Sequence, residues 1–95
     1  MKAMSFKHGF TQLPNCVLKE KRFSFGARLT YAVLLSYAWE KESCFPGQKK
    51  MAEDLGTSDR SIRKFLNELK EHGYISWKYQ GPSKPNIYSL LKLKP

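Results

Sequence analysis

Between Phe45 and Ile75 two helix-length patterns stand end to end across a short glycine-containing turn, and this limits the fold more than any other feature of the chain. The segment reads Phe-Pro-Gly-Gln-Lys-Lys-Met-Ala-Glu-Asp-Leu-Gly-Thr-Ser-Asp-Arg-Ser-Ile-Arg-Lys-Phe-Leu-Asn-Glu-Leu-Lys-Glu-His-Gly-Tyr-Ile. Met51, Ala52 and Leu55 recur at one-turn spacing and predict a short helix over 48–55. Gly56 stops it, because glycine adopts the left-handed conformation of a helix exit. Ser58 is placed to cap a second helix running to about His72, which Gly73 ends. Two helices joined in this way form a helix-turn-helix, which commonly presents its second helix to the DNA major groove.

The second helix has two different faces. Ile62, Phe65, Leu66 and Leu69 fall at i, i+3, i+4 and i+7 and should be buried as one stripe. Arg60, Arg63, Lys64 and Asn67 fall on the other side. A guanidinium can bond guanine at two points, an amide can read adenine, and lysine suits phosphate. Most helices have a solvated charged face, but the helix-turn-helix context favours DNA contact here.

Lys49 and Lys50 stand in the first turn of the shorter helix. A helix N-terminus disfavours a cation by about 0.3–1 kcal/mol. Two of them suggest a polyanion nearby, as when the first helix of the motif crosses the DNA backbone. Gln48 and Thr57 are assigned to the same backbone contact. Tolerance at a salt-screened position is the alternative.

Ninety-five residues, 41% of them apolar, make one domain that can build a modest core without disulfides or metal. The net charge of +9 favours nucleic acid as a partner. No lysine-rich amphipathic surface helix stands out, so a membrane is not an expected partner. Neither a transmembrane run nor a signal-peptide apolar region is present, and the cytoplasm is the expected location. Cys16 and Cys44 are expected to be free thiols serving as small apolar side chains.

Residues 1–23 read as an arm with Phe6, Phe10, Leu13, Val17 and Leu18 spaced without clear period, extended with one short turn near Pro14-Asn15. Their partner surface is either the domain's own core or another chain. Residues 24–95 form the domain proper. Ser24 should cap the longest helix, about Phe25 to Glu42, apolar over more than half its circumference through Phe25, Leu29, Ala32, Val33, Leu35, Ala38 and Trp39. Leu29, Val33 and Trp39 are expected against Ile62, Leu66 and Leu69. Lys41 suits the helix C-terminus. Residues 43–46 are a candidate first strand. After Gly73 the period becomes two: Ile75, Trp77 and Tyr79 alternate with Ser76 and Lys78. Residues 80–85 carry turn chemistry, and Asn86 to Leu91 makes a second strand. The expectation is an α+β, mostly α fold: a winged helix-turn-helix with three main helices and a two-stranded β-hairpin wing. Lys78, Gln80 and Lys84 border the wing loop and can reach phosphates or the minor groove.

At these residues the chain resembles a known family. Cys-Phe-Pro-Gly-Gln, followed by the run from Met51 to Ile75, is similar to the winged-helix domain of plasmid, phage and mobile-element replication proteins: RepA-like initiators and DnaD-like or phage O-like primosomal proteins. Phe10 to Leu18 and Pro85 to Leu90 resemble the flanking features, so the resemblance spans roughly residues 10–91. It implies that Ser58, Arg60, Ser61, Arg63 and Lys64 face DNA. Gly47 departs from the family pattern, where serine caps the helix and meets a phosphate, leaving Lys49 and Lys50 to supply that contact. Family members are often longer, with a second domain for oligomerisation or helicase loading. Nothing follows Pro95 here, so those activities are expected to be absent or supplied by another chain, unless this is the N-terminal part of a longer protein.

No catalytic constellation is visible. His8 and His72 stand apart, Glu53 and Asp54 are adjacent and so do not share a helix face, and no P-loop or zinc spacing occurs. An enzyme, a metal and a cofactor are not expected. Sequence-specific binding of double-stranded DNA in replication initiation is the expected function, with a transcription regulator, an RNA-binding winged helix and a winged-helix protein-interaction module as alternatives. A homodimer through the arm and other replication proteins are the further partners left open.

Overall fold

The structure, a computed structural model, describes residues 9–38, 43–44, 46–84 and 86–91. In chain order these form α1 (Asn15–Leu18), α2 (Phe25–Ala38), β1 (Ser43–Cys44), α3 (Gln48–Leu55), α4 (Asp59–Glu71), β2 (Ile75–Lys78) and β3 (Ile87–Leu90). The result is α+β and mostly α.

Local chemistry sets the boundaries. The Ser24 hydroxyl accepts the Ala27 N–H at 3.2 Å and opens α2. Gly56 takes φ 67°, ψ 39°, and the Thr57 N–H then reaches back to the Ala52 carbonyl at 2.9 Å, closing α3. The Ser58 hydroxyl accepts the Ser61 N–H at 3.2 Å, and Asp59 and Lys70 complement the two ends of α4. Gly73 follows that helix in the left-handed region, and the Tyr74 N–H returns to the Leu69 carbonyl.

The sheet is antiparallel and three-stranded, in the order β1-β3-β2. Trp77 pairs with Tyr88 across the hairpin, and Cys44 pairs with the same tyrosine from the other edge. The expected two-stranded wing therefore carries β1 as a third strand, shorter than the 43–46 read from sequence. Tyr79 lies beyond the end of β2 and is 68% exposed.

Ile62, Leu66 and Leu69 are buried in one cluster with Ala27, Tyr31, Leu34, Met51, Ala52, Ile75 and Tyr88, and Phe65 packs against it half-buried. The arm enters this core through Val17 and Phe23. The Phe23 ring meets Tyr74 edge-on at 4.9 Å and His72 at 5.1 Å, tying the arm to the end of α4. Glu68 of α4 takes the Ser24 N–H at 2.7 Å, so one carboxylate joins α4 to the cap of α2.

Three expectations are corrected. The buried stripe of α2 is Ala27, Thr30, Tyr31, Leu34 and Ala38, whereas Phe25 and Leu29 are exposed. At Gly26 the helix comes so close to α4 that a Cβ would collide with the Phe65 ring. Leu29 does not pack on the α4 stripe, and Val33 is half-buried. Cys16 is exposed rather than a core filler. The expected extension of α2 to Glu42, with Trp39 and Lys41, lies outside the described residues.

Candidate nucleic-acid interface

Because Ile62, Leu66 and Leu69 turn inward, α4 must turn Arg60, Arg63, Lys64 and Asn67 outward, and all four are exposed. Among the described residues, Arg60, Arg63 and Lys64 have no ion-pair partner. The acidic residues of α4 lie elsewhere: Asp59 in its first turn, Glu68 on Ser24, Glu71 at its end. One side of the helix is thus left with three free cations and an amide.

At its start, the Ser58 hydroxyl donates to Ser61 Oγ at 3.1 Å while capping the helix, so both serines hold the first turn in place. Thr57 and Lys49 are exposed beside it. Lys50 reaches Asp54 one turn on, at 3.4 Å. Its place in the first turn of α3 therefore has a local explanation that needs no polyanion, and Lys49 keeps the stronger case for a phosphate. Asp54 also accepts the Tyr37 hydroxyl at 2.6 Å. That bond pushes the Tyr37 phenol up to about 12 and, with the Lys50 ammonium, holds Asp54 below the usual carboxylate range.

The wing stands beside α4. Lys78, Gln80 and Lys84 are exposed around its loop. Beside α4 and the wing lies a trough made of two hollows that share Gln48 and Asn86 in their linings, only the inner one lined by α4. The inner one, about 110 Å³, brings Arg63 and Asn67 together with Gln48, Trp77 and Asn86. The outer one, about 320 Å³, continues past Gln48 and Asn86 to Tyr79 and Lys84. Arg60, Lys64 and Lys78 do not line it.

Sequence reasoning missed Asn86, Tyr79, Trp77 and Lys70. The Lys70 ammonium lies 4.5 Å from the Trp77 ring centre, extending the basic side of α4 toward the sheet. Its spacing from Arg63 and Asn67, seven and three residues, was the available signal. For Asn86 there was none, since only strand pairing carries it next to Gln48. The described residues contain no cluster of three His, Cys, Asp or Glu side chains able to hold a metal, and no helix long and apolar enough to cross a membrane.

A helix-turn-helix followed by an antiparallel hairpin, with the second helix of the motif left free on its basic side, defines a winged helix-turn-helix domain. The chain belongs to the helix-turn-helix domain family, whose model matches residues 24–75. That membership supports DNA binding. Among solved structures the chain is similar to one described as "Structure of Rep-DNA complex", with 21% identity and a TM-score of 0.69 over 90% of this chain and 77% of that one. It is also similar to "N-Terminal domain of DNA binding protein", with 20% identity and a TM-score of 0.68 over 96% of this chain and 85% of that one. At these identities the likeness is one of fold. No curated protein matches the chain.

Proposed function

We propose that this domain binds double-stranded DNA sequence-specifically through α4, in the initiation of replication of a plasmid, phage or mobile element. The observation that carries the DNA reading is the unpaired basic side of α4, opposite a fully buried stripe. Arg63 and Asn67 read base edges; Ser58, Ser61, Arg60 and Lys64 flank them on the same helix. Gln48, Lys49, Lys50 and Thr57 hold the backbone from α3 and the turn after it, and Lys78, Gln80 and Lys84 hold it from the wing. The replication role is supported by the fold shared with the protein of the Rep–DNA complex and by the sequence features resembling replication initiators.

Selection from a pool of random duplexes tests this. A recovered common motif, bound with a slope of log K against log salt near −4 to −5 for about five neutralised phosphates, is the expected result. Salt-independent binding or no enrichment would count against it. The arm's Phe10 and Leu18 remain 59% and 46% exposed, which keeps a homodimer through the arm in the proposal. A palindromic motif and a dimer by sedimentation are its expected signs.

A further inference from the structure

Gln48 and Asn86 come from opposite ends of the folded motif, yet both line both stretches of the trough beside α4 and the wing. Arg63 and Asn67 line the inner stretch and Lys84 the outer one; no carboxylate lines either stretch. Gly47 opens α3 in an extended conformation with no side chain to cap it. The first-turn N–H groups beside Gln48 thus have no side-chain cap. Asn86 Nδ2 donates to the Tyr88 hydroxyl over a long 3.5 Å contact, and the amide carries a second N–H besides.

A helix in the major groove with a hairpin projecting beside it straddles the sugar–phosphate strand that borders that groove. We infer that the trough seats this strand, and that Gln48 and Asn86 together clasp a single phosphate as charge-neutral donors. The inference rests on the duplex-DNA reading and deepens it. Its consequence is distinctive. A lysine that meets a phosphate releases a counterion and contributes to the salt slope, whereas an amide donor does not. Gln48 and Asn86 should then strengthen binding to every duplex without contributing to its salt dependence.

The test uses the whole chain as wild type, Gln48→Ala, Asn86→Ala and, for contrast, Lys84→Ala. Each is titrated on the selected duplex and on random duplex across a salt series. The selected duplex is also scanned with a neutral methylphosphonate at each position in turn. Both alanine variants replace half-buried side chains outside the core cluster, and thermal melting verifies that each is folded. Loss of one amide donor to a phosphate should weaken binding about tenfold on both duplexes. The slope should stay at the wild-type value, while Lys84→Ala lowers it by about one. Wild type should be sensitive to one methylphosphonate position at which both amide variants are indifferent. Unchanged affinity in the amide variants, or a loss confined to the selected duplex, would overturn the clasp while leaving the duplex reading intact. A wild-type chain that binds no duplex would overturn the duplex reading itself.

Discussion

Gly26→Ala should destabilise this domain, although the same change at an open helical position stabilises. Alanine in place of a helical glycine is worth about 0.5–1 kcal/mol. Gly26 is the second residue of α2, where the gain lies toward the lower figure. Against it stands the Phe65 ring, whose far edge occupies the space a Cβ would take. That ring packs against the buried cluster, so swinging it aside disturbs the seating of α4 on α2. Overpacking of this kind costs about 1–3 kcal/mol. The net effect is a loss of about 0.5–2 kcal/mol, and each kcal/mol lowers Tm by roughly 4–8 °C in a domain of this size. In a Phe65→Ala background, where the space is open, the sign should reverse and Gly26→Ala should stabilise by about 0.5 kcal/mol. Thermal melting by circular dichroism of the wild type, both single variants and the double variant completes the cycle. A Gly26→Ala protein that melts above the wild type would refute the argument, since the ring would then yield freely.

Leu66→Ala should cost about 2–5 kcal/mol, because the side chain is buried in the cluster joining α2, α3 and α4; an unchanged melting temperature with lost DNA binding would mean that Leu66 faces DNA and that the outward assignments on α4 are mistaken. Arg63→Ala should weaken the selected duplex by about 1–3 kcal/mol and random duplex far less; equal losses would remove Arg63 from base readout. Lys49→Ala should lower the salt slope by about one, and Lys50→Ala by less, since Asp54 already holds Lys50. At alkaline pH, Tyr31, raised to about 12 by burial, and Tyr37, raised to about 12 by its bond to Asp54, contribute stability that is complete below their ordinary value near 10 and is lost as pH rises toward 12. Asp54, whose folded value is lowered, contributes stability that is complete above its ordinary value of 3.8 and is lost as pH falls below it. Tyr37→Phe should flatten both ends of the stability–pH profile measured by denaturant titration, and an unaltered profile would dismiss the bond as a contributor.

Capping residues and helical exits were legible because they act within a few residues of where they stand. Ser24, Gly56, Ser58 and Gly73 mark the same boundaries in the chain and in the fold. The inward stripe of α4 was legible for a related reason: Ile62, Leu66 and Leu69 are its only strongly apolar row besides Phe65, so the helical period alone selects which side is buried and which basic side is left out. The two strands after Gly73 could likewise be read from alternation and from the turn residues between them.

Helix α2 offered no such choice. Apolar residues occur nearly all round it, so periodicity could not say whether Leu29 or Ala27 faced the core; packing against the other elements buried Ala27 and left Leu29 exposed. The same holds for relations between distant residues. Pairing of β1 with β3 made the wing's sheet three-stranded, Glu68 found the cap of a helix 44 residues away, and Asp54 took up Lys50 and Tyr37 together. The trough that sets Gln48 beside Asn86 belongs to this second kind. By itself, the sequence determined the elements and the exposed chemistry of α4, because those follow from local backbone preference and a single dominant period. Tertiary structure alone decided which faces meet and which polar groups become neighbours, because these depend on the shape complementarity of surfaces that the chain brings together only by folding.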